Sequence, residues 1–147
     1  MKSLIKFLNL PHLEKKLFCQ VLLTVCVIRA GLWVLPFKWV KRYLAINNSA
    51  KSQDDSADWI VITSVTNKVK TCSRFVPYAT CLTQALTTHS VLNRQGASSE
   101  LKIGVAKDGN GKFEAHAWLE VNGKIIIGKI PRHQRFAVLD SSNLAVL

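Results

Sequence analysis

Residues 113–128, FEAHAWLEVNGKIIIG, contain a strand, a turn and a returning strand. Phe113, Ala115, Ala117, Leu119 and Val121 alternate with Glu114, His116, Trp118 and Glu120, and this period of two is that of a strand. Asn122-Gly123 is the strongest short hairpin signal in the chain, because a type I′ turn needs positive φ at both positions. KIIIG (124–128) then returns antiparallel and brings Gly128 and Lys129 near His116. Working outward, LKIGVAK alternates with Leu101, Ile103 and Val105 on one side, and DGNG (108–111) turns it into the 113–121 strand.

Upstream of these strands the period is helical. YATCLTQAL (78–86) places Cys81 just after Thr80, a credible N-cap, and Leu82, Ala85, Leu86 and Leu92 share one side before Gly96 stops the helix. Asp58 caps an earlier helix that carries Trp59, Ile62, Val65 and Val69 and fades before Pro77. Residues 1–46 are helical by pattern and broken near Pro11 and Pro36, and the polar segment 47–57 is a linker. The expected organisation is thus an N-terminal helical arm (1–46), a linker (47–57) and a domain (58–147). Helices followed by a run of antiparallel strands make the class α+β.

The 147 residues suit one domain with a real core. Twenty Lys and Arg against nine Asp and Glu give a formal charge of +11, which suits nucleic acid, an anionic membrane or an acidic peptide. The basic residues are scattered, with no aromatic-basic stacking motif and no phosphate loop, so no nucleic-acid partner is expected. The four cysteines form no Cys-x-x-Cys pair and no zinc-finger spacing, so neither metal nor cofactor is expected. Cys19 and Cys26 are expected to be buried apolar residues, and free thiols in a reducing cytoplasm are the default. LFCQVLLTVCVIRAGLWVLPF (17–37) approaches the length of a membrane span, but Gln20, Thr24 and Arg29 interrupt it. It is expected to pack on the main domain, with peripheral membrane contact through the arm as the next reading.

A thiol attacks carbonyls well only as a thiolate, and a helix N-terminus favours that anion. Cys81 stands in such a first turn, and His116 is the best-placed imidazole to take its proton and return it to a leaving group. His89 lies two turns further along the Cys81 helix, out of reach, and His12 and His133 fall in turn-like or polar surroundings. Cys72 lacks a helix start and is expected to be structural. Gln84, one turn above Cys81, and Trp118, beside His116, are candidates for the substrate groove together with Thr80; Tyr78 borders the same loop.

CLTQALTTHSVLNRQG followed by LKIGVAKDGNGKFEAHAWLEVNGKIIIG closely resembles the lasso-peptide leader peptidases of the transglutaminase-like, papain-related superfamily. The shared features are Cys-Leu at a helix start, a Gly-Val strand, and Ala-His-Ala-Trp before a Gly hairpin, densest over residues 72–128. That resemblance implies a papain/transglutaminase-like cysteine protease core. Its activity would be removal of the leader from a ribosomally made precursor peptide, with Cys81 as nucleophile and His116 as general base and then acid. The implied partners are the precursor, a separate leader-recognition protein and an ATP-dependent lasso cyclase. The chain departs from the family where an aspartate usually orients the histidine: the strand after the hairpin reads KIIIGKIP and holds no acid. Asp140 is the open alternative for the third place, and Glu114 and Glu120 are expected to be ordinary exposed carboxylates. Three classes of function stay open: the leader peptidase, a transglutaminase or amidase on the same fold, and a catalytically silent peptide-binding adaptor.

Overall fold

Asp58 opens a helix with its Oδ1, which accepts from the N–H of Ile60 at 3.0 Å and of Val61 at 3.3 Å. These are two of the donors that every helix start leaves unpaired. Asp58→Ala is accordingly expected to lower stability by about 0.5–2 kcal/mol, measured by urea unfolding. The computed structural model describes residues 11–34 and 58–139. Over these the order is α1 (His12–Val34), α2 (Trp59–Ser73), α3 (Cys81–Arg94), β1 (Glu100–Lys107), β2 (Phe113–Val121), β3 (Lys124–Ile127) and a two-residue β4 (Ala137–Val138). The α+β class is as the sequence leads one to expect.

The four strands form an antiparallel sheet in the order β3-β2-β1-β4. Asn122 and Gly123 both have positive φ, 49° and 72°, which is the type I′ geometry the pair favours. The β2–β3 register slips between Leu119 and Glu120, so Leu119 faces Ile127 while Glu120 faces Ile125. β4 was not foreseen. Its Ala137 and Val138 pair with Val105 and Gly104 of β1, and the carbonyl of Ile103 accepts from Leu139 N–H at 2.8 Å.

The alternation in β2 divides the molecule into two packing layers. Ala117, Leu119 and Val121 face the helices and join Ile62, Val65 and Val69 of α2, Ala85 and Leu92 of α3, and Val21 and Val25 of α1 in the main core. Trp118 belongs instead to a small second cluster with Ala106 and Phe136 on the other side of the sheet. The helix assigned to the N-terminal arm therefore shares one core with α2 and α3.

α1 is long and apolar enough to cross a membrane by length and composition, with a mean hydropathy of 2.0 over its most apolar window. Its inner stripe of Val21, Thr24 and Val25 is buried, while Leu23, Val27 and Trp33 are exposed. The expected burial of Cys19 and Cys26 is corrected here: both thiols are exposed. Seven residues apart, they share a helix face, but the face that packs is the one through Val21 and Val25. The expected linker at 47–57, the helical pattern of 1–10 and the break at Pro36 lie outside the described residues.

Candidate active site

The loop before α3 is conformationally constrained. Tyr78 has a φ of 59°, the left-handed region that costs a residue with a Cβ of order 1–3 kcal/mol and persists only where its surroundings enforce it. The Arg29 guanidinium of α1 lies 5.9 Å from the Tyr78 ring centre, so the arginine that interrupts the apolar helix turns toward this loop. Thr80 occupies the N-cap position, but its hydroxyl makes no capping bond; it lies 3.4 Å from the Thr83 hydroxyl instead. Cys81 follows as the first residue of α3, half-buried and packed against the main core. The free N–H groups of the first turn are therefore left beside the thiol, where they favour a thiolate or an oxyanion.

His116 lies on β2 with Trp118, on the side of the sheet away from the helices. Its Nε2 is 2.6 Å from the Gly128 carbonyl oxygen, so Nε2 carries the proton and donates. In the neutral ring that leaves Nδ1 as the basic nitrogen. This is the work an orienting carboxylate does elsewhere: it fixes tautomer and ring plane. Here a main-chain carbonyl does it, directly before Lys129. Among the described residues no hydrogen bond joins Cys81 to His116: Cys81 packs on the main core, whereas the His116 ring lies near Phe136 of the second cluster. Asp140, the sequence candidate for the third place, lies outside the described residues.

Around His116 the rings are close. Trp118 stacks at 6.2 Å between ring centres and 18° between planes, Phe136 sits 5.6 Å away, and His133 meets Trp118 edge-on at 4.3 Å. Trp118 is only 2% exposed, so this residue, expected to wall the groove, is covered by the segment that carries His133 and Phe136. Neither carboxylate on this face of β2 is idle. Glu120 accepts from Trp118 Nε1 at 2.7 Å, and Glu114 pairs with Arg135.

Gln84, one turn above Cys81, lines a cavity of about 400 Å³ between the end of α2, the start of α3 and the end of β3. Gly128, the acceptor for His116, is in the same wall. Lys70, Ser73, Arg74 and Lys129 also line it, and the sequence reading missed all four. They come from separate elements and form no local motif; the adjacency of Lys129 to Gly128 is the only trace in the chain.

Cys72 and His89 are structural by environment. Cys72 is fully buried, and burial pushes its thiol up to about 11, with the neighbouring Cys26 and Cys19 adding to the rise. A group so hard to ionise is no nucleophile. His89 is buried too, with Nδ1 2.9 Å from the Ser99 hydroxyl and Nε2 unpartnered. Burial lowers its pKa below the ordinary 6.5, and a hydrogen bond to Ser99 opposes the shift. The unfolded chain thus binds the proton first as pH falls. Stability from this site is present above pH 6.5 and is lost as the pH drops from there through the depressed folded value. His89→Asn should flatten that part of a plot of melting temperature against pH.

Among the described residues no group of three or more His, Cys, Asp or Glu could hold a metal ion. Comparison with curated proteins and with solved structures gave no match. A family model described as Transglutaminase-like superfamily matches residues 22–141, from the middle of α1 past β4. Members are generally cysteine peptidases or acyltransferases, chemistry that a thiol on the first turn of α3 and an imidazole on β2 can supply. The chain belongs to the transglutaminase-like superfamily.

Proposed function

We propose that the chain is a cysteine peptidase that cleaves the leader from a ribosomally synthesised lasso precursor peptide. The observation that carries this reading is the His116 tautomer. With Nε2–H committed to Gly128, Nδ1 is the nitrogen available to a thiol, and among the described residues the thiol on a helix start is Cys81. His116 Nδ1 takes the Cys81 proton, the sulfur attacks the scissile carbonyl, and first-turn N–H groups, that of Cys81 among them, receive the oxyanion. The same imidazole then protonates the leaving amine, and water attacks the acyl-enzyme to release the leader carboxylate and free the thiol. Cys81 packs with the helices while His116 lies on the other side of the sheet, so this mechanism requires a rearrangement on peptide binding that brings the sulfur to Nδ1.

The resemblance over residues 72–128 supports the lasso precursor as substrate, a separate leader-recognition protein as partner and an ATP-dependent cyclase as consumer of the freed core. Peripheral membrane contact through the exposed apolar side of α1 belongs to the same proposal, in an otherwise cytoplasmic protein. Incubation with precursor, with and without the recognition protein, tests the reading by mass spectrometry. Hydrolysis at one bond upholds it. Adducts with added amines would make the chain an acyltransferase, and unchanged precursor that stays bound would make it an adaptor.

A further inference from the structure

The cavity beside Gln84 has a composition that the proposed chemistry does not use. Three cations line it, Lys70 and Arg74 from the end of α2 and Lys129 after β3, and no carboxylate does. Among the described residues none of the three takes part in an ion pair. Ser73 lies between Lys70 and Arg74 in the wall, 7% exposed, and its hydroxyl has no protein partner. Such an orphaned hydroxyl is uncommon in a folded protein. Its polar side-chain neighbours on the cavity wall are the Gln84 amide and three cations, so donors outnumber acceptors there.

We infer that this cavity binds a carboxylate of the peptide substrate, so that an acidic residue, or a newly freed C-terminus, seats beside the start of α3. The inference rests on the reading that the chain takes a peptide. A carboxylate fits better than phosphate because of the helix polarity around the cavity. The cavity lies at the C-terminal end of α2, where the helix dipole opposes anions and opposes a dianion most. Phosphate sites are built from free backbone N–H groups at a helix start, and of α3 only Gln84, whose N–H is bonded to the Thr80 carbonyl, lines this cavity. The planar Arg74 guanidinium can grip a carboxylate through two parallel bonds, as it could a phosphate, with Ser73 and Gln84 as neutral donors. Gly128 joins this cavity to His116, so an anchored carboxylate would hold the chain next to the imidazole's own support.

The test is equilibrium binding to the full chain carrying Cys81→Ala, by fluorescence anisotropy. Three labelled glycine–serine peptides serve as probes: one with an internal glutamate and a C-terminal amide, one with glutamine in its place, and the glutamine peptide with a free C-terminal carboxylate. At least one carboxylate peptide should bind about tenfold tighter than the neutral one, weakening with salt, and the arm that shows the preference names the source. Arg74→Gln and Lys129→Gln, both at exposed positions, should each remove most of that preference while circular dichroism stays unchanged. Equal binding of all three peptides overturns the inference, as does a preference that survives both substitutions. Inorganic phosphate competing better than acetate also overturns it. Failure of the peptidase reading looks different: the wild-type chain would then cleave no precursor while the charge preference in binding persisted.

Discussion

Cys81→Ala is expected to reduce precursor hydrolysis by at least about a thousandfold without unfolding the chain. The sulfur is half-buried at the first residue of α3, and alanine keeps the helix start, the contacts of Leu82 and Ala85, and the loop through Tyr78. What disappears is the atom that forms the acyl bond, and nothing nearby replaces it. Cys72 is fully buried and held as a thiol, so it is no substitute nucleophile. Cys81→Ser should also be nearly inactive, because a hydroxyl is far less acidic than a thiol and the weaker nucleophile at neutral pH in a site built for sulfur. Single-turnover mass spectrometry measures the loss, and circular dichroism reports the fold. Processing that continues unchanged in both variants would remove the acyl-enzyme from the mechanism.

The second large effect is expected at Gly128. Its φ is 85°, and a Cβ there would stand 2.7 Å from the Ala117 carbonyl oxygen and 2.8–2.9 Å from Trp118 Cβ and Cα. Two of these three atoms are backbone, so a rotamer change cannot relieve the clash. Gly128→Ala combines left-handed strain with overpacking, together about 2–5 kcal/mol, and should lower the melting temperature by several degrees. It also displaces the carbonyl that fixes the His116 tautomer. Measured below the variant's melting temperature, kcat should therefore fall more than the folded fraction explains, with KM changed less. A variant that loses stability but keeps wild-type kcat would show that Gly128 is only a packing position.

The hairpin was legible because Asn-Gly and the period of two act locally, and they locate Gly128 near His116 by counting alone. The α3 and α2 starts were legible for the same reason, although Thr80 holds the cap position without making the cap bond. Cys19 and Cys26 show where patterning stops. α1 is apolar on most sides, so its composition does not say which stripe meets α2 and α3. The pairing of β4 with β1 and the covering of Trp118 by His133 and Phe136 are non-local contacts with no sequence period. The cationic cavity is assembled from α2, α3 and the end of β3, and was invisible for that reason.

The outward orientation of Cys19 and Cys26 on α1 has a practical side. A maleimide or iodoacetamide added to the native protein meets two open sulfhydryls before it reaches the one at the start of α3. Alkylation stoichiometry on the unaltered chain would therefore report the long helix. Serine at both positions removes that background at little cost to packing, and leaves Cys81 as the principal target for an electrophilic probe or a crosslinking substrate.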